Sequence, residues 1–198
     1  MRICITLDDV IRSKTKTFGR VYKKYYDKEI DLGSIDLDSN DMCKAFGFKD
    51  KKEYNKFVYE DYPFELFAEA TVTERMVDKQ FNLWHIAMAD KYGDDVEIIL
   101  ANPYEFNTSI GYTCFFLSQI ATRVREFHFP KNSAEIWDKC DVLVTADPKL
   151  LQEKPEGKTA VKISMPYNED VAADYEFGGF GEFLKEGENI IEKLRENG

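Results

Sequence analysis

The spacing of apolar positions changes several times along the chain, and each change predicts a different element. Ile3-Cys4-Ile5-Thr6-Leu7 is a short, nearly continuous apolar run rich in β-branched residues, which predicts a buried strand ending in Asp8-Asp9. Around residues 12–26 the period becomes helical, with Phe18, Val21, Tyr22 and Tyr25 three and four residues apart. Residues 29–37, which include Gly33, predict a loop, and Asp38-Ser39 suits the cap of a helix over 40–46 that stops at Gly47. Helices are predicted over 51–58, 64–68 and 73–91. Beyond Gly93-Asp94-Asp95, predicted strands over 96–101, 123–129, 142–146 and 159–165 alternate with helices over 112–121, 133–139, 149–152 and 180–194. That alternation predicts an α/β fold, a parallel sheet covered by helices on both sides. The chain then divides into a core made of 1–12 and 93–198 and a helical insertion, or cap, over 13–92.

Composition narrows the class. With 198 residues, 43% of them hydrophobic, and 15 Phe and 11 Tyr, the chain can build a substantial core, and its composition is that of a folded protein rather than a disordered one. The formal charge of -10 argues against nucleic acid as a partner and against anionic membranes. One segment reverses that sign: Arg12, Lys14, Lys16, Arg20, Lys23, Lys24 and Lys28 stand together against Asp27. It reads as a solvated helix face, or as positive charge placed over the strand ends to attract a phosphorylated small molecule. Cys4, Cys43, Cys114 and Cys140 form no CxxC pair, the N-terminal apolar run is too short for a signal peptide, and no 18-residue apolar run occurs. The expectation is a cytoplasmic protein with free thiols.

In a parallel sheet, ligands gather at the carboxyl ends of the strands. Three predicted ends carry polar residues: Asp8 and Asp9, Asn102, and Asp147. Carboxylates there supply hard oxygen ligands for Mg²⁺, with Asp8 and Asp147 as the metal-binding pair. The alternative is that these residues are helix caps at strand-to-helix loops, Asp147-Pro148 above all. Lys131 follows a predicted strand and is a candidate to reach over this edge to a phosphate. Phe57, Tyr59, Tyr62, Phe64 and Phe67, interleaved with Glu60, Asp61, Glu65 and Glu69, form either the small core of the insertion or a protein-binding surface.

The stretch Thr6-Leu7-Asp8-Asp9-Val10 resembles the first motif, DxDx[TV], of the haloacid dehalogenase-like (HAD) superfamily, and the layout is similar to its small 5'-nucleotidase-type members with a helical cap. The resemblance implies a HAD-like Rossmannoid three-layer sandwich. It places Asp8 at the family's acid/base carboxylate, Val10 at its Thr or Val, and Thr6 at its nucleophilic Asp. Ala101 and Asn102 stand where the second motif ends in Ser or Thr. Lys131 lies in the region of the phosphate-binding lysine, and Asp147 matches the first acid of the fourth motif, whose second acid has no counterpart in 149–152. A neutral Thr6 cannot supply the anionic nucleophile that an aspartyl-phosphate needs, and it removes one charge from any metal site. The expectation is therefore a catalytically degenerate HAD-like protein that binds a ligand or a protein partner, with Thr6, Asn102, Thr108, Ser109 and Lys131 on phosphate and Mg²⁺ weak. The alternative is an unconventional Mg²⁺-dependent phosphatase or 5'-nucleotidase in which Asp8 or Asp9 is catalytic. His85 and His128 are read as structural.

Overall fold

The computed structural model describes residues 1–28, 42–103 and 105–196. Among these residues six strands, β1 (Arg2–Thr6), β2 (Glu97–Ala101), β3 (Phe127–His128), β4 (Val142–Thr145), β5 (Thr159–Ile163) and β6 (Tyr175–Phe177), form one sheet in the order β3-β2-β1-β4-β5-β6. Every pair is parallel, with Thr6 beside Ala101 and Ile5 beside Val144. The predicted α/β class is the observed one. The 29–37 loop and the Asp38-Ser39 cap lie outside the described residues.

Among the described residues, eight α-helices surround or cap this sheet: α1 (Lys14–Tyr26), α2 (Met42–Ala45), α3 (Lys51–Lys56), α4 (Val77–Tyr92), α5 (Asn107–Gln119), α6 (Ser133–Trp137), α7 (Pro148–Gln152) and α8 (Phe180–Glu196). Alternation along the strands separates two faces. Ile3, Ile5, Leu100, Val144 and Val161 point to one side, where Phe81 and Trp84 of α4, Phe116 of α5, and Phe180 and Phe183 of α8 cover them. Cys4, Ile99, Leu143 and Ala160 point to the other, against Trp137 of α6 and Leu150 of α7. Because both faces are covered, the strands can be apolar throughout, which is why each reads as a short continuous run.

A separate apolar cluster holds the insertion together. Phe18, Tyr22, Phe46, Phe48 and Phe57 pack ring against ring, with Phe18 4.2 Å from Phe46 and 5.4 Å from Phe57. The predicted helices over 51–58 and 64–68 are an α-turn followed by wider π-helical turns at Phe57–Asp61 and Phe64–Ala68, separated by Pro63. Packing divides the two clusters ahead of α4: this helix, counted with the insertion in the division at residue 92, buries Val77, Phe81, Trp84 and Met88 on the sheet. The insertion joins the core through a narrow neck. Ser13 N–H donates to Thr71 O and Thr73 N–H donates to Ile11 O, so the outgoing and returning chains run antiparallel side by side.

Two strand expectations change in extent. The 123–129 stretch alternates, yet only Phe127 and His128 pair, because β3 is the sheet edge and its Arg and Glu neighbours remain partly in water. β6 is an addition, a three-residue edge strand too short to show a period.

Candidate functional site

The sequence immediately after β1 makes a tight turn. Leu7 O accepts from the N–H groups of Val10, Ile11 and Arg12, which brings Arg12 back onto Asp8. Asp9 occupies the left-handed region at φ 57°, a conformation that Asp tolerates better than most residues. Its carboxylate accepts from the Thr15 N–H at 2.9 Å and from the Thr15 hydroxyl, and thereby caps α1, whose own Ser13 makes no side-chain cap. The Tyr167 hydroxyl donates to the same carboxylate at 2.7 Å.

A cavity of about 100 Å³ opens at the carboxyl ends of β1, β2 and β4, lined by Thr6, Asp8, Asp9, Lys14, Asn102, Asp147 and Tyr167 among others. This is where the sheet order reverses direction around β1, the position at which open α/β sheets bind ligands. Asp8 is the most constrained of its carboxylates. Arg12 holds Oδ1 through Nε at 2.8 Å, and Lys14 Nζ holds Oδ2 at 2.7 Å. Burial alone pushes the Asp8 carboxyl up, but the Arg12 and Lys14 charges outweigh it and hold it down at about 2. Asp9 and Asp147 move the other way. Burial raises both, against hydrogen bonds from Thr15 and Tyr167 in one case and from the Leu150 and Lys149 N–H groups in the other.

Arg12 is fully buried and carries the rest of the network. Its guanidinium reaches Glu105 Oε1 at 2.8 Å and Thr113 Oγ1 at 2.6 Å, and stacks near Phe67 of the insertion and Phe116 of α5. Asn102 stitches the same group, donating to Glu105 at 2.6 Å and accepting from the Asp8 N–H at 3.3 Å. One cation thus ties β1, the β2–α5 connection and the insertion together.

Of the residues singled out in the sequence, Thr6, Asp8, Asp9, Asn102 and Asp147 meet at this cavity. The Thr6 hydroxyl donates to Thr145 Oγ1 at 3.0 Å. Lys131 is exposed in the loop before α6 and Thr108 is exposed in the first turn of α5; neither is among the lining residues. Ser109 is buried with its hydroxyl on Phe106 O and Glu105. His85 and His128 lie elsewhere, His128 with Nε2 against Glu126 at 2.5 Å. Asp147 caps α7, the helix-cap role read for it, while lining the cavity. Sequence reasoning missed Lys14 as a lining residue and Arg12, Glu105 and Tyr167 as partners. The signals were the Asp8–Arg12 spacing of four and the reading of this basic segment as charge over the strand ends, which did not single out Arg12 or Lys14.

A Mg²⁺ ion would need hard oxygen donors that are free to turn toward it. Both Asp8 oxygens face a cation already, and one Asp147 oxygen accepts two backbone N–H bonds. Among the described residues, no three His, Cys, Asp or Glu side chains converge closely enough to hold a metal ion. The donor set in this arrangement does not fit the ion.

No protein-family model matches the chain, and no curated protein does. Solved structures do match in shape. A β-phosphoglucomutase from Clostridium difficile aligns with a TM-score of 0.57 at 13% identity, covering 99% of this chain and 97% of that one. A haloacid dehalogenase-like hydrolase from Burkholderia xenovorans LB400 aligns with a TM-score of 0.55 at 10% identity over 93% and 94% of the two chains. One from Bacteroides fragilis gives 0.52 at 9% identity over 92% and 98%. At these identities the likeness establishes the fold, which is the HAD-like Rossmannoid architecture. Among the described residues, no helix is long and apolar enough to cross a membrane.

Proposed function

We propose that this chain uses the HAD-like scaffold to bind, without phosphoryl transfer through an aspartyl-phosphate. The observation that carries this reading is the state of the β1 end: Thr6 stands where the anionic nucleophile belongs, and Asp8 is locked between two cations. A neutral hydroxyl bonded to Thr145 is a poor nucleophile at pH 7, and no histidine lines the cavity to activate it. A carboxylate held at about 2 also has too little proton affinity to act as a general acid or base near neutrality. A divalent cation would have to compete with Lys14 for Asp8, which keeps Mg²⁺ weak.

Two surfaces are offered to ligands. The cavity presents Thr6, Asn102 and Lys14 to a phosphorylated small molecule, with three carboxylates limiting how much negative charge it accepts. The insertion and α5 together expose Phe64 and Phe115, whose rings lie 6.0 Å apart, as a surface for a protein partner. The alternative, an unconventional phosphatase or 5'-nucleotidase, draws support from Asp9 and Asp147, two cavity carboxyls with raised proton affinity.

The deciding experiment is turnover of nucleoside monophosphates and an aryl phosphate, with and without Mg²⁺, by wild type, Thr6→Asp, Asp8→Asn and Asp9→Asn. The expected result is no turnover by wild type. Wild-type turnover that Asp8→Asn or Asp9→Asn abolishes would overturn the binding reading and favour the enzyme.

A further inference from the structure

We infer that the Lys14 ammonium is the cavity's built-in counter-cation, occupying the Asp8 carboxylate oxygen that a divalent metal in this cavity would have to take. This rests on the reading of the cavity as a site without phosphoryl transfer. Three observations converge on it. Lys14 Nζ lies 2.7 Å from Asp8 Oδ2, the oxygen that Arg12 leaves open. Lys14 and Asp147 line the same cavity, and the Lys14 charge acts on the Asp147 carboxyl as well as on Asp8. The lysine is also positioned by backbone: its N–H donates to Arg12 O, and the next residue, Thr15, is fastened to Asp9.

The energetics favour the lysine over a free ion. An ammonium fixed at the start of a helix is always present at its site, whereas Mg²⁺ must shed water and find near-octahedral oxygen donors. Entry of the metal would also break a half-buried ion pair. With Lys14 neutralised, Asp8 would keep as its cation only Arg12, which Glu105 already shares, and its Oδ2 would be left with the Asn102 amide and open to a divalent ion.

The test uses Mn²⁺ as a spin probe in solution and Mg²⁺ in thermal unfolding at matched ionic strength, on the full chain. Wild type and Lys14→Arg are expected to show no saturable Mn²⁺ binding and no Mg²⁺-specific rise in Tm at about 5 mM. Lys14→Gln is expected to bind Mn²⁺ about tenfold or more tightly than wild type and to gain Tm with Mg²⁺, and Lys14→Gln with Asp8→Asn to lose both. A Lys14→Gln chain that folds only with Mg²⁺ supports the inference. Equal Mn²⁺ binding by wild type and Lys14→Gln overturns it, as does a Lys14→Gln chain that binds no metal or folds in neither condition. The parent reading fails separately: metal-independent wild-type turnover would sink it and leave the role of Lys14 standing, whereas a wild type that binds Mn²⁺ without turnover would do the reverse.

Discussion

The two ends of one basic segment behave as if they belonged to different proteins. At its start, Arg12 is fully buried and bonded to Asp8, Glu105 and Thr113. Near its end, Lys24 meets Glu65 at 3.1 Å with more than half of its side chain in water. Both are short cation–carboxylate contacts. In the first, removing one partner strands charges that cannot be rehydrated; in the second, water replaces whatever is lost. A basic run in a sequence therefore says little about energetics until the position of each residue relative to the core is known.

The comparison predicts a graded series. Arg12→Met has the largest expected effect, about 4 kcal/mol lost in urea unfolding, because Asp8 and Glu105 remain without their shared cation. A loss no greater than that of a surface change would break the comparison. Phe18→Ala comes next: this residue lies between the two ends and touches several rings, and truncating it is expected to cost roughly 3 to 4 kcal/mol. That result would show that apolar contact, rather than charge, holds the middle of α1.

Asp8→Asn follows, and its effect depends on pH. The folded carboxyl sits at about 2 against an ordinary 3.8, so its contribution is present above pH 4 and disappears as pH falls through about 2. It is expected to amount to about 2 kcal/mol at neutrality. Acid titration of stability should show wild type losing this advantage over Asp8→Asn between pH 4 and 2; parallel curves would mean that the ion pairs contribute nothing. Lys24→Ala is the smallest, with no measurable change expected in the urea midpoint.

Much of the architecture was legible because it rests on local pattern. The strands at 2–6, 97–101, 142–145 and 159–163 are apolar runs bounded by turn residues, and the polar ends of the first three do meet at one cavity. The fine structure of the site was hidden for a physical reason. Whether Arg12 faces water or the core is decided by Glu105, Thr113 and Phe116, about a hundred residues away, and a charged residue gives no periodic signal of burial. Lys131 had the chemistry for a phosphate but sits outside the cavity, while Lys14, six residues from Asp8, lines it. The place of α4 was hidden for a similar reason: its apolar stripe fits either cluster, and the choice depends on Phe180 and Phe183 in α8.

The neck where Ser13 meets Thr71 and Thr73 meets Ile11 has a consequence for how such a chain diversifies. Its two crossings are already paired antiparallel, the geometry that a hairpin of about two or three residues would close. With the two crossings fixed to each other, a change of length far from this junction need not move β1. Content near the junction is another matter: Lys14 holds Asp8, Thr15 holds Asp9, and Arg12 takes part of its shelter from Phe67 on the far side. A replacement segment would have to bring its own partners for those carboxylates and its own cover for that guanidinium.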